Sequence, residues 1–320
     1  MVFVWQNFLV ALNAVVPFVI YLAVGLLAVR IRLADREFMN RLNRFTFKLF
    51  FPLLMFKNVY NATPESMPSL TLILFTVIGI LALIALLFII VPRAEKRNPR
   101  RGVLIQALFR GNFLLYGIPL VVSVFGEKKA SVAGFMTLIV ISMFNVAAII
   151  VLESFNGEGR KISCAVLLAR LATNPLLQGC IAGLLFFLLK IRLPEFIATP
   201  VNTLGNMATP LGMITLGSSL RLKSFGQNAR TIGAAVSLKL IVIPLIMLLI
   251  GWTVGLRDVE LFLILVIFGT PVAVASYPMA VNMGGDGELA GQLVVVSTLL
   301  SLATIFLFIF LMAQMGLIVQ

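Results

Sequence analysis

The chain has 320 residues, 61% hydrophobic and 12% charged, with a mean hydropathy of +1.09. That balance excludes an ordinary soluble domain. The net charge of +13 does not point to nucleic acid, because the basic residues sit in short links at the ends of apolar runs, where they meet anionic headgroups.

Ten apolar runs follow one another at about 8–29, 42–60, 69–92, 102–125, 130–152, 166–189, 196–219, 227–251, 259–283 and 288–315. Each is long enough to cross a bilayer as a helix. Inside hydrocarbon every backbone N–H and C=O must be satisfied within the segment, and none of these runs alternates as a barrel strand would. Met1 to Leu9 carries no basic region and no small-residue cleavage site, so the first run reads as a retained helix.

The basic links alternate along the chain. Arg30, Arg32, Arg36, Arg41 and Arg44 follow the first span, and Arg93, Lys96, Arg97, Arg100 and Arg101 follow the third. Arg160 and Lys161 follow the fifth, and Arg221, Lys223 and Arg230 the seventh. The opposite links hold only Lys57, Lys128, Lys129, Lys190, Arg192 and Arg257. The positive-inside rule makes the richer side cytoplasmic and places both termini outside a plasma membrane.

Spans 4 and 9 are interrupted. The first reads Gly111-Asn112 with Tyr116-Gly117-Ile118-Pro119, and the second Gly269-Thr270-Pro271 with Ser276-Tyr277-Pro278; the two breaks lie 158 residues apart. The same offset carries span 1 onto span 6, Pro52 onto Pro210 and span 3 onto span 8; one residue further, Gly126-Glu127 meets Gly285-Asp286. Two five-span repeats, 1–155 and 156–320, are therefore expected. An odd number of spans inverts the second copy. Paired broken helices in inverted repeats are the mark of a secondary transporter's binding site near the membrane midplane. The expected fold is an all-α integral membrane protein of ten helices, with spans 4 and 9 crossed.

Cys164 and Cys180 would stand roughly 24 Å apart along one continuous helix, too far for a disulfide. The chain has no His, which removes imidazole ligands and the usual proton shuttle. No cofactor or metal is expected. A membrane-embedded transferase would need a His-Asp or Asp-rich cluster, against which stand the missing His and twelve scattered acids.

With these motifs the chain resembles the auxin efflux carrier family, whose bacterial members include malate and malonate permease-like proteins. Further carriers of the resemblance are Thr173-Asn174-Pro175, Leu193-Pro194, Thr209-Pro210-Leu211 with Leu216-Gly217, Lys239 ahead of Pro244, and Gly285-Asp286 with Glu288-Leu289. The resemblance implies a scaffold of spans 1, 2, 6 and 7, a mobile unit of spans 3–5 and 8–10, and dimerisation through the scaffold. The family's plant members carry a long loop between the halves. This chain lacks it, which favours a carrier of small organic anions, mono- or dicarboxylates, over a hormone carrier.

Asn112 leads the candidate substrate ligands, since its amide offers two donors and an acceptor beside a half-helix N-terminus that suits a carboxylate; the family places a matching Asn at its site. The alternative is an Asn that only caps the half-helix. Gly111, Gly117, Pro119, Gly269, Pro271 and Pro278 open the helices, and Thr270 takes the place of Asn112 in the second repeat. Tyr116 and Tyr277 either line a pocket or pack. Lys239 lies too deep to reach the surface and either supplies positive charge to the crossing or pairs with carbonyls. Asn145 on span 5 is within reach of a site beside span 4, whereas Asn174 and Asn206 fit helix-to-helix hydrogen bonds. Arg110 is placed to draw anions from the cytoplasmic side, and a site built on Asn112 and free amides needs no buried arginine. Asp286 and Glu288 read as caps of span 10. Lipid and a second copy are the expected partners besides the anion, with a sodium-coupled symporter of the bile-acid type, or a non-transporting sensor, as the alternatives.

Overall fold

The computed structural model of the protein describes residues 16–17, 19–61, 68–113, 117–155, 169, 172–219 and 225–318. Its architecture is helical throughout the described residues, save for one isolated β-bridge. In chain order the helices are α1 (Val19–Arg30), α2 (Arg36–Phe45), α3 (Phe51–Tyr60), α4 (Leu70–Ala94), α5 (Asn98–Phe109), α6 (Ile118–Ser154) and α7 (Pro175–Leu188). The chain continues through α8 (Glu195–Ser219), α9 (Phe225–Ser237), α10 (Ile243–Thr253), α11 (Asp258–Gly269), α12 (Ser276–Asn282) and α13 (Gly287–Gln314). Single π-helical turns, Thr46–Phe50 and Leu238–Val242, join α2 to α3 and α9 to α10.

Among the described residues, four helical stretches are long and apolar enough to cross a membrane: Leu70–Ala94, Phe135–Ser154, Gly226–Thr253 and Gly287–Gln314. Their outer faces are apolar too. Leu74, Ile78, Leu81 and Ile89 on α4, and Leu245, Ile246 and Leu249 on α10, lie open on the surface, as befits side chains solvated by lipid. Two helices behave in the opposite way. Leu261 to Gly269 of α11 and Gly102 to Phe109 of α5 are buried on every side, the pattern of helices enclosed by other helices. These enclosed helices are the ones that lead into the two interruptions.

The outer helices meet through glycine. A Cβ on Gly25 of α1 would overlap the backbone carbonyl of Ile214, one on Gly217 of α8 the carbonyl of Leu22, and one on Gly179 of α7 the carbonyl of Pro52. Without side chains at these crossings the backbones touch, and van der Waals contact replaces the hydrophobic drive that lipid cannot supply. These contacts lock α1 to α8 and α3 to α7.

Chain corners repeat as well. Gly126, inside α6, has φ 72° and ψ 168°, which divides that helix in two. Gly284, 158 residues later, takes φ 78° before α13. Asp286 caps α13 as expected, its Oδ1 accepting from Leu289 N at 3.0 Å.

Several sequence expectations need correction. The link after span 1 is shorter than expected, because α2 begins at Arg36: Asp35 Oδ1 accepts from Phe38 N at 2.7 Å and stops the fraying that would leave Arg36 and Arg41 in a loop. Arg41 instead pairs with Glu37 on that helix. Arg100 is buried and stands 2.9 Å from Glu95 Oε2, so it faces protein and not headgroups. Asn174 caps α7 as well as reaching another element: its Oδ1 accepts from Leu176 N and Leu177 N, and its Nδ2 donates to Met283 Sδ at 3.9 Å. Asn206 does bridge helices, through Lys57 Nζ. Cys164, Tyr116 and the side chains of Cys180 and Pro119 lie outside what is described.

Candidate functional site at the paired helix breaks

Each break has a local cause. Pro271 pushes the residue before it out of the helical region, and Thr270 is extended at φ −68° and ψ 152°. Arg110 ends α5 in the same way, at φ −89° and ψ 101°. Two such gaps would strand backbone polar groups in hydrocarbon. They solve this by pairing with each other. Gly111 and Val272 form an antiparallel bridge, in which Asn112 N donates to Pro271 O at 2.8 Å and Ala273 N to Arg110 O at 3.3 Å. Val272 N donates to Ser297 Oγ of α13 at 3.1 Å.

Gly111 makes the approach possible. A Cβ there would stand 2.5 Å from Thr270 Oγ1, 3.0 Å from Ile267 O and 3.4 Å from Lys239 Nζ. The bridge therefore separates two polar clusters. On one side lies a cavity of about 60 Å³ between the bridge and the helices α3, α6 and α8. Arg110, Asn112, Asn145 and Thr209 supply its polar wall, and Phe51, Leu54 and Phe144 its apolar one. Behind the bridge are Thr270 and Lys239.

The cavity's polar groups are all buried. Arg110 donates to Asn145 Oδ1 at 2.6 Å and to Met279 Sδ, and Asn145 Nδ2 donates to Met55 Sδ at 2.8 Å. Asn112 is 6% exposed, yet its Nδ2 has no acceptor among the described residues. A buried, unmatched donor costs about 1–3 kcal/mol, and this one faces a cavity.

Lys239, 1% exposed, donates to Phe268 O at 3.1 Å. It is presented by the π-helical turn, which falls just before Pro244, a residue that cannot donate back to the preceding turn. Its ammonium thus meets one of the last carbonyls of α11, the negative end of the helix dipole. Arg110 is itself the residue that ends α5, and its guanidinium turns instead to Asn145 and Met279.

Of the residues singled out in the sequence, Gly111, Asn112 and Asn145 line the cavity. Gly269, Thr270, Pro271 and Lys239 surround the bridge from behind; Thr270 Oγ1 is fully buried and has no partner among the described residues. Gly117 packs against Val266. Tyr277 and Pro278 open α12, and the Tyr277 ring lies near Gly291 of α13, away from the cavity. The sequence alone sets Arg110 at the cytoplasmic approach and makes a buried arginine unnecessary. The structure buries it in the cavity wall, because the chain bends immediately after it and turns the guanidinium back toward Asn145. Thr209 figures in the sequence only as part of a motif; nothing marks it as cavity-facing until α8 is placed.

Comparison with known proteins identifies the family. The family described as "Membrane transport protein" matches residues 10–309. A Rhizobium meliloti protein named "Putative malonate transporter" is 26% identical over 306 residues, covering 91% of this chain and 92% of its own. An "Uncharacterized transporter" of Methanothermobacter thermautotrophicus is 26% identical over 275 residues, covering 83% of this chain and 86% of its own. The chain belongs to the membrane transport protein family, the auxin efflux carriers that its motifs resemble, and is a membrane transporter and not an enzyme.

Proposed function

We propose that the protein is a secondary carrier of small organic anions, chiefly dicarboxylates, that bind at the paired breaks of spans 4 and 9. One observation carries the reading: Asn112 Nδ2, buried and without an acceptor among the described residues, faces a cavity whose wall also holds the Arg110 guanidinium. A carboxylate answers both groups at once, since it is acceptor-only and anionic. The malonate named for the relative is of this chemical class.

The ten-span plan of two inverted five-helix repeats, 1–155 and 156–320, accounts for the matched glycine corners and the paired breaks. The locked outer helices suit a scaffold. The enclosed half-helices suit a unit that moves against it and exposes the cavity to each side in turn, in a plasma membrane with both termini outside.

The test is uptake of a labelled carboxylate panel, malonate included, into proteoliposomes. Asn112→Ala should raise KM about tenfold, the equivalent of one hydrogen bond to a charged group, with insertion and melting unchanged. Saturable uptake with an unaltered KM would place the site elsewhere. Absence of uptake for every carboxylate would reject the substrate class.

Lys239→Met separates charge from packing. Lys239 is held by a carbonyl, so an apolar side chain of similar length relieves the cost of burying a charge. The variant should melt at or above the wild-type temperature and carry anions poorly. A lower melting temperature with normal uptake would make the ammonium purely structural.

A further inference from the structure

A second, larger cavity lies away from the breaks, and nothing in the transport reading uses it. It is a groove of about 860 Å³ between α4 and the helical run α9–α10, with Leu104 and Leu108 of α5 at its floor. The two walls touch at one end, where Gly79 lies against Met247 and Phe75 against Gly251. Toward the other end they part. The groove opens there beside Glu95, Arg230 and Thr231.

Length and charge specify the occupant. The lining on α4 runs from Ala82 to Ala94, about 18 Å at the rise of a helix, close to the ~15 Å hydrocarbon depth of one leaflet. Body and floor are apolar: Leu83, Leu87, Ile243 and Leu108 are buried, while Leu86 and Ile90 are open toward lipid. The mouth is cationic. Glu95 is matched by Arg100 at 2.9 Å and Arg97 at 3.9 Å, which leaves Arg93, Lys96, Arg101 and Arg230 to set the local sign.

Two of those four cations are held by the protein itself, and Lys96 does not line the groove. Arg93 donates to Ile89 O, and Arg101 to Glu95 O, Asn98 Oδ1 and Pro92 O. Arg230 is exposed and has no hydrogen-bond or ion-pair partner among the described residues. It stands at the end of a slot one leaflet deep.

We propose that this groove is a binding site for an anionic phospholipid of the leaflet on the basic side. Its acyl chains lie between α4 and α9–α10, and its phosphate is held by Arg230. The lipid would rest on Leu104 and Leu108, on the half-helix that ends at Arg110, and so brace the first break from behind. This assignment does not depend on which anion the protein carries.

The experiment is native mass spectrometry of the full-length protein with phosphatidylglycerol and phosphatidylcholine of identical chains in equal amounts. Wild type should retain phosphatidylglycerol over phosphatidylcholine by about fivefold, the contribution of one basic residue at an anionic surface. Arg230→Gln, a surface change that leaves the fold intact, should bring the two to parity. Ala234→Phe, which fills the groove from α9, should lower retention of both. Equal retention by wild type, or a preference that survives Arg230→Gln, would overturn the proposal. So would an Ala234→Phe variant that keeps its lipids but changes oligomeric state, since the groove would then be an interface between copies.

Discussion

Arg110→Gln is expected to reduce anion uptake about a hundredfold while the protein still inserts and folds. Arg110 is 3% exposed, lines the cavity with Asn112, and donates to Asn145 Oδ1 at 2.6 Å. Glutamine can still donate to Asn145 but brings no charge, so a carboxylate entering the cavity loses its counter-ion. Leaving one ion of a buried pair uncompensated costs about 3–5 kcal/mol, which is at least a hundredfold in affinity. The free protein does not suffer in the same way, because removing a buried cation relieves a desolvation cost. Arg110→Lys should fall between the two: the charge remains, but the planar fork that can meet two carboxylate oxygens is gone. The readout is KM and maximal rate in proteoliposomes, with the melting temperature of each purified variant alongside. Wild-type KM in Arg110→Gln would remove Arg110 from the site. A variant that fails to fold would instead mark the guanidinium as a structural tie between α5, α6 and α12, and the Arg110→Lys variant would then decide the matter.

The same residue shows what the sequence could and could not reveal. The breaks were legible, because glycine and proline together inside an apolar run rarely do anything but interrupt its helix, and their common offset tied the two together. The cap at Asp286 was legible for a similar reason: it depends on the few residues that follow. Arg110 could be read as adjacent to a break but not as buried. Its environment is made by Asn145 and Met279, which lie 35 and 169 residues away. Lys239 was visible as a charge too deep for the surface, yet its acceptor, Phe268 O, belongs to a different span. Thr209 was marked only by its Thr209-Pro210-Leu211 motif, which does not say that it faces a cavity. The π-helical turns escaped notice because their signal is one of register, and hydrophobic runs without a polar face carry no register. Local chemistry placed the interruptions; only the packing of distant spans placed the charges around them.

Gly111→Ala is expected to destabilise the protein by several kcal/mol. The added carbon would stand 2.5 Å from Thr270 Oγ1 and 3.0 Å from Ile267 O. Thr270 is stiff at χ1 and fully buried, and Ile267 O is backbone within the enclosed α11. Neither can retreat, so the two breaks must separate. Overpacking alone costs about 1–3 kcal/mol. Separation also strains the bonds Asn112 N to Pro271 O and Ala273 N to Arg110 O, each worth about 1–3 kcal/mol if a buried group is left unmatched. Against a total stability of order 5–15 kcal/mol, such a loss should appear as poor yield and a much lower melting temperature. Thr270→Ala in the same chain removes the nearest obstacle. The double variant should therefore recover part of the loss, a non-additivity expected of residues in contact. Wild-type melting in Gly111→Ala, or strict additivity in the pair, would mean that the breaks are not held together by this contact. Partial recovery of folding without recovery of uptake would show that the spacing of the two breaks, and not only their pairing, sets the geometry in which Asn112 and Arg110 meet an anion.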